Sequence, residues 1–370
     1  SLINERIKLI MAYTTINKPS DYFNTKLYTG NGTSQTLDMD NLGMLWMKNR
    51  TETSNHVLFD SVRGGYYISA PGPELRPNGT TAGSGSDITS AYGITFGSSS
   101  STIGSDGGGY NYNQNGKSYV GWQWRANGAG STNTDGSINS TVSVNTTAGF
   151  SIVKVSKPAA SVATIGHGLG VTPKFIIGKD LDGVDNWTCY NEALGNGKAI
   201  YLNATNAEST ASTFWNSTSP TSSVFTIGSD NTWNSPSMVF YCFADVQGYS
   251  KFGSYIGNDV SNGTFCYTGF KPAFVMIKKS SQTGDWLMCD NKRNNYSLPS
   301  TQNNFNVVNG KIFPNTSQAE EFYDSFDFLS NGFKMRTTSG SINASGQTYI
   351  YMAFAEAPLV GTNNVPATAR

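Results

Sequence analysis

Two histidines are all the chain offers for general base chemistry, His56 in SNHVLFD (54–60) and His167 in IGHGLGV (165–171). A Ser-His-Asp set needs its histidine within hydrogen-bond reach of a nucleophile, and a third group to orient the ring. The sequence has no Gly-x-Ser-x-Gly elbow, and neither histidine lies in a His-Glu-x-x-His pattern. His167, ahead of a glycine-rich bend, reads as a turn residue. Glycoside hydrolysis asks instead for two carboxyl groups roughly 5–10 Å apart. The candidate pairs are Asp285 with Asp290, and Glu320 with Glu321. Alternation along a strand points Asp285 and Asp290 to opposite faces, and Glu320-Glu321 is expected in a polar, solvated segment.

Other chemistry fares no better. Asp180, Asp182, Gly183 and Asp185 outline a calcium loop, but the EF-hand spacing and its closing glutamate are missing. A polar hairpin loop is the expectation. GSDGGGYN (104–111) is not followed by Gly-Lys-Ser/Thr, so it is no phosphate loop. Cys189, Cys242, Cys266 and Cys289 are scattered, without the tight spacing of a closed zinc site. They read as small core hydrophobes and imply folding in a reducing cytoplasm. No catalytic residue, metal ligand or cofactor is expected.

Binding residues are the remaining possibility. Asp60-x-x-Arg63 and Asp290-x-x-Arg293 read as local salt bridges fixing a turn, with ligand recognition as the rival. Tryptophans can stack on sugar rings, and most of the seven lie in apolar strand-like runs that suit a core. Trp215 in STFWNSTSP and Trp233 in SDNTWNSP stand in polar contexts. They are expected to be exposed and are the candidate ligand-binding pair.

The elements that position these residues follow from an internal repeat. One block reads LGMLWMKNR (42–50), VTPKFIIGKD (171–180) and FKPAFVMIKK (270–279). A second reads HVLFDSVRG (56–64), NWTCYNEALG (186–195) and DWLMCDNKRN (285–294). A third closes each copy as KSYVGWQWRANG (117–128), SMVFYCFADVQG (237–248) and QTYIYMAFAEAP (347–358). The runs are short and rich in Val, Ile, Tyr, Phe and Trp, which favours strands, apolar on both faces. AEEFYDSFDFLSNGF (319–333) is the one stretch that reads as a short helix. Stretches rich in Gly, Ser, Thr and Asn supply turns and long loops.

The expected fold is all-β, with three tandem related β-sandwich units, jelly-roll or lectin-like, joined by long Gly/Ser/Asn loops. Residues 24–130, 148–248 and 249–358 delimit the units. An N-terminal arm (1–23), a linker (131–147) and a C-terminal tail (359–370) complete the chain. Within the arm, Met11 reads as the natural start and residues 1–10 as upstream frame, the alternative being a genuine arm or short helix. The stretch from Thr14 to Gly30 is an expected anchor to a larger particle.

Composition narrows the class. In 370 residues, 25 basic side chains face 25 acidic ones, so the footprint of a nucleic-acid binder is missing. An aromatic share of 12% argues against disorder, and no apolar run is long enough for a membrane helix. Neither nucleic acid nor membrane insertion is expected.

Several stretches carry a resemblance. YTGNGTSQT (28–36), TAGFSIVKVS (147–156), IGHGLGVTPKFIIGK (165–179), YCFADVQGYSKFGSYIGND (241–259) and YTGFKPAFVMIK (267–278) resemble a family of marine, podovirus-like bacteriophage virion structural or tail-fibre-type proteins. The likeness continues through DFLSNGFKMRTT (327–338) and TYIYMAFAEAPLV (348–360). It spans most of residues 11–370 and is loosest between 65 and 115. The resemblance implies a non-enzymatic protein on the virion surface, made in the cytoplasm of a bacterial host. Its partners would be other virion proteins and host surface glycan. A tail fibre or receptor-binding appendage and a head-decoration protein are the two placements implied. A homotrimer, or three units forming a pseudo-trimer on a symmetric site, is the expected assembly. The alternatives are a glycan-binding lectin-like module and a polysaccharide depolymerase.

Overall fold

The structure, a computed structural model, describes residues 12–361 and 366 apart from 40–42, 64–74, 81–92, 98–99, 106–110, 157–161 and 295–306. The reading of Met11 as a start lies outside the described residues. Apart from two short 3-10 turns, Pro19–Asp21 and Asn231–Trp233, the regular structure is β-strand, so the chain is all-β.

Three sheets share one strand order. In the first, Phe23–Thr29 pairs with Ser118–Trp124, which pairs with Met44–Asn49, which pairs with Val57–Asp60. In the second, Phe150–Val155, Met238–Phe243, Phe175–Asp180 and Thr188–Asn191 follow the same order. In the third, it is Ser250–Ile256, Thr348–Pro358, Phe270–Lys279 and Trp286–Asp290. Every pairing is antiparallel, and the chain visits each sheet as first, second, third and last strand in the spatial order first–last–second–third.

Registers match as well as order. Trp46 lies opposite Trp122, Ile177 opposite Tyr241 and Met276 opposite Met352. Two residues away, Met44 faces Trp124, Phe175 faces Phe243 and Phe274 faces Phe354. Because the strands are apolar on both faces, each sheet has two faces to bury. One face is covered by a smaller sheet of its own. For the first sheet this is Gln35–Leu37, Ser101–Ile103 and Ile94–Phe96, sealed by Leu45, Met47, Phe59 and Ile103. For the second it is Ala163–Gly166 with Val224–Ile227. For the third it is Phe265–Tyr267, Gly332–Met335, Glu321–Leu329 and Val307–Lys311. These pairs of layers are β-sandwich-like.

The other faces of all three sheets meet in one shared core. At its centre the ring centroids of Trp124, Phe243 and Phe354 form a closed triangle with sides of 6.4, 6.1 and 5.7 Å. Phe23 and Phe274 pack against it, 5.0 and 5.8 Å from Trp124.

Three expectations need correction. The segment 319–333 is not helical: Glu321–Leu329 and Gly332–Met335 form a hairpin. Its aromatics Phe326 and Phe328 recur at period two and are buried, a strand pattern rather than a helical one. The expected linker 131–147 also folds, as Ser131–Asn133 and Ser140–Asn145, which extend the second sheet beside Phe150–Val155. The alternating Val142 and Val144 supply the apolar face that makes this possible. Finally, residues 12–22 are not a free arm. Ile16 is buried in the shared core and the Tyr13 hydroxyl donates to Gly269 O at 2.8 Å.

Trp124→Ala should therefore cost about 3–5 kcal/mol, the usual range for deleting a buried aromatic. Val184→Ala, at a site 74% exposed, should stay within roughly 0.5 kcal/mol of wild type. Urea midpoints of the two variants check both.

Candidate functional site

The side chains singled out by the sequence gather in the seams between the three sheets. Each second strand ends in a buried lysine whose ammonium closes the following hairpin loop. Lys48 Nζ donates to Asn49 O at 2.6 Å, Lys179 Nζ to Asp180 O at 2.6 Å, and Lys278 Nζ to Gly284 O at 2.7 Å. Lys278 also reaches Thr205 O of the second sheet's loop, at 3.1 Å. Burial pushes Lys48 and Lys278 down to about 8 and lowers Lys179 too.

Opposite each lysine sits a ring that crosses to the neighbouring sheet. Trp187 Nε1 donates to Arg76 O at 3.2 Å, and Trp286 Nε1 to Tyr201 O at 2.8 Å. His56 Nε2 contacts Phe313 O at 3.0 Å while its Nδ1 accepts from Trp46 Nε1 at 2.9 Å. That pattern assigns the neutral Nε2-protonated tautomer, since a carbonyl only accepts. The direction is the same each time: second sheet to first, third to second, first to third. An asparagine clasps the start of each third strand, as Asn78, Asn203 and Asn315 accept from the backbone N–H of His56, Trp187 and Trp286 at 2.8, 2.8 and 2.9 Å.

A second ring of contacts uses the carboxylates. Asp60 and Asp290 each hold a turn by accepting two backbone N–H groups, and each is paired with its own arginine, Arg63 or Arg293. Each also accepts from an aromatic of the neighbouring sheet. Tyr241 OH donates to Asp60 at 2.6 Å, and Trp122 Nε1 to Asp290 at 2.8 Å. Arg293 lies over the Trp122 ring at 5.2 Å. The third seam keeps the turn, with Asn191 Oδ1 accepting from Ala193 N at 2.9 Å, but lacks the ion pair and the cross-seam donor. Asn191, Leu194 and Met352 hold the matching positions, and the buried Asn191 Nδ2 has no hydrogen-bond partner. A thioether cannot donate, so charge and donor are missing together.

Between the first and third sheets the network extends further. Glu320, with a side chain 3% exposed, binds Arg293 at 2.8 Å and Arg50 at 2.7 Å. The expectation of a solvated Glu320 is thus overturned, because two arginines neutralise it inside the seam. The Asp-x-x-Arg pairs are turn-fixing salt bridges that also bind across a seam. Asp285 and Asp290 are held apart, Asp285 by Asn315 Nδ2 at 2.7 Å.

The expected exposure of Trp215 and Trp233 is also overturned. They are 1% and 0% exposed, packed 5.7 Å apart in the outer core of the second sheet. The reason is local: that sheet's covering layer has only two strands, and the two indoles complete it. Gly178 leaves the space, since a Cβ there would lie 2.7 Å from Trp233 Cη2. Neither indole face is available to a sugar. The remaining five tryptophans are in the core as expected.

The other candidates serve local structure. His167 is a buried turn residue whose Nδ1 accepts from Leu169 N at 3.2 Å and whose Nε2 meets Thr221 O at 3.2 Å. Asp180 Oδ1 accepts from Asp182 N and Gly183 N at 2.8 and 3.1 Å, as Asn49 Oδ1 does from Thr51 N and Glu52 N. The loop is a polar hairpin, with an ammonium beneath it. Burial, then the hydrogen bond to Asp180, raises the Asp185 carboxyl. All four cysteines are free and buried, and burial raises every thiol.

Sequence reading missed the acceptor side of the seams, Arg76, Tyr201 and Phe313 with the asparagines two residues later. A fourth repeat block was there to find in LRPN (75–78), YLN (201–203) and FPN (313–315).

These sheets and seams define a class of all-β protein with several packed sheets around a shared core. The chain belongs to the family described as Domain of unknown function (DUF7483), whose model matches residues 18–358. No curated protein and no solved structure matches it.

Asp290→Ala leaves Arg293 with Glu320 as its remaining carboxylate and removes the acceptor of Trp122 Nε1, which should cost about 3 kcal/mol, the lower end for a broken buried pair. Asp290→Asn with Arg293→Leu copies the second sheet's solution and should recover more than half of that loss, read from urea unfolding. Burial holds His56 down to about 3. The unfolded chain takes up that proton near pH 6.5 and the folded chain only near 3, so stability should fall as pH drops through this window. His56→Gln, which keeps a donor for Phe313 O, should flatten the slope of urea midpoint against pH between about 6.5 and 5.

Proposed function

We propose that this protein is a non-enzymatic structural component of the outer surface of a bacteriophage particle, built from three related β-sandwich units of the jelly-roll or lectin-like kind. The units are 24–130, 148–248 and 249–358, arranged as a single-chain pseudo-trimer. A tail fibre or receptor-binding appendage is favoured over a head-decoration protein, with host attachment as its use. Its partners are other virion proteins and host surface glycan, and it is made in the host cytoplasm before reaching the virion surface.

The observation that carries this reading is the closed ring of seams. Three sheets with one strand order pack around the Trp124–Phe243–Phe354 triangle, each sending a ring donor to the next in the same rotational sense. Closed symmetry is the usual solution for assemblies, and a threefold shape in one chain suits a threefold or quasi-threefold site on a particle. The titratable groups support an inert role. The seam carboxylates Asp60, Asp290 and Glu320 are bound by arginine, and both ring nitrogens of each histidine are engaged. A depolymerase would need two of those carboxyls free and converging on a sugar. The resemblance of residues 28–36, 241–259 and 348–360 to virion proteins supplies the location.

Gold-labelled antibody against this chain, applied to intact virions and viewed by negative stain, tests the proposal. Gold on tail tips or fibres is the expected result, and gold at regular head positions selects the decoration form. Purified virions that carry no label and lack the chain by mass spectrometry overturn it.

A further inference from the structure

Each covering sheet begins with a strand at its edge: Gln35–Leu37, Ala163–Gly166 and Phe265–Tyr267. An edge strand presents unpaired N–H and C=O groups, and native sheets blunt it with charge or a covering segment. The first unit uses charge, since the exposed Asp38 follows its strand, with Lys26 at 3.7 Å. The second uses cover. Thr164 N donates to Ser137 Oγ at 2.9 Å, Ser137 N donates to Thr164 Oγ1 at 2.8 Å, and Ile138 bridges Ile165. The third does neither. Residues 260–270, VSNGTFCYTGF, hold no charged side chain, and no described residue hydrogen-bonds to the backbone along the outer edge of Phe265–Tyr267.

The direction of those edge groups is fixed by their neighbours. Met335 N donates to Thr264 O and Thr268 N to Asn331 O, both at 3.0 Å. Antiparallel alternation then bonds Cys266 to Phe333 and turns the N–H and C=O of Phe265 and Tyr267 away from the sheet. Side chains alternate too. Cys266 is buried in the outer core of the third unit, while Phe265 and Tyr267 are 42% and 55% exposed. Ile256 and Val260 are exposed just before them, in a turn that Thr264 Oγ1 holds by donating to Ile256 O at 2.8 Å. Four of the eight large apolar side chains exposed among the described residues thus fall within residues 256–267. The Tyr13 hydroxyl, on Gly269 O, marks the far end of the open edge.

We propose that this edge is a homodimer interface, on which a second copy of the chain adds its own Phe265–Tyr267 antiparallel across a two-fold axis. A two-fold contact must be self-complementary. Centred on Cys266, it sets Phe265 of one copy opposite Tyr267 of the other. Each outward N–H then meets an outward C=O, and both aromatic pairs stack across the strands. The two four-stranded covering sheets become one continuous sheet. With zero net charge, two copies do not repel one another. The area sets the strength of the contact. An aromatic side chain carries about 150–250 Å², so the two partly exposed rings leave roughly 200 Å² open per copy. Even with Ile256 and Val260 the contact falls below the ~1,200 Å² of a stable complex. The dimer is therefore weak and reversible, with a Kd of about 100 µM. It does not depend on where the protein resides, so it stands or falls separately from the virion reading.

Sedimentation of the full chain at about 5–500 µM, a range that brackets this affinity, is the test. The expected result is a monomer–dimer equilibrium, with amide exchange at Phe265 and Tyr267 slowing as concentration rises. Phe265→Lys with Tyr267→Lys sets like charges opposite one another and should raise the Kd by about tenfold or more. Its thermal midpoint should change little, because both side chains are exposed. Phe265→Lys with Tyr267→Glu pairs opposite charges in the Cys266-centred register, and should dimerise more tightly than the double-lysine variant. A monomer at every concentration overturns the proposal, as does a dimer that the double-lysine variant leaves intact. A lysine–glutamate variant no tighter than the double-lysine one overturns the register. Amides at Phe265 and Tyr267 that are protected even at the lowest concentration show that a segment of the same chain covers the edge, and overturn the dimer without recourse to any variant.

Discussion

The structure depends on one constraint: three sheets are apolar on both faces, and each has only one small sheet of its own to cover it. The second face has no partner except the matching faces of the other two sheets. Packing the three against one another buries those faces together, and the Trp124–Phe243–Phe354 triangle is where they converge. A buried aromatic contributes roughly 1.5–3 kcal/mol by burial alone, against about 1 kcal/mol net for a typical hydrogen bond. The shared core therefore supplies most of the cohesion. The seam hydrogen bonds decide something else, namely which sheet follows which. Each ring donor finds its carbonyl only on the neighbour in one rotational direction, so the polar contacts set the sense of the ring.

The seams are not equally polar. Between second and third sheets the chain passes directly from Gly248 to Tyr249, and this seam has Asn191, Leu194 and Met352 where the others hold charge. The seam that joins the beginning of the chain to its end carries the longest network, Arg50–Glu320–Arg293–Asp290–Trp122. Buried ion pairs give modest net stability once desolvation is counted. Their directional hydrogen bonds are better suited to choosing a partner than to cohesion.

Much of this architecture was legible. The three blocks of apolar residues named the second, third and last strands of each sheet, and the alternation of Val120, Trp122 and Trp124 showed two buried faces. The recurring Asp-x-x-Arg was legible as a turn-fixing pair, because both ends lie within one local segment. Less was legible where side chains act at a distance. Trp215 and Trp233 looked exposed from their polar neighbours, yet a two-stranded covering layer and the gap over Gly178 draw them inward. Glu320 looked solvated, because Arg50 and Arg293 lie 270 and 27 residues away.

Strand periodicity is a local property: the order of residues dictates which side chains share a face, so the amino-acid string alone settled the all-β class, the repeat and the two-faced strands. The partner of each second face is a long-range property, set by which surfaces can exclude water together. Only the folded chain decided that the three sheets share one core, that Tyr241 meets Asp60, and that Thr25 lies opposite Trp122. No local pattern encodes those pairings, because each depends on atoms brought together from distant parts of the chain.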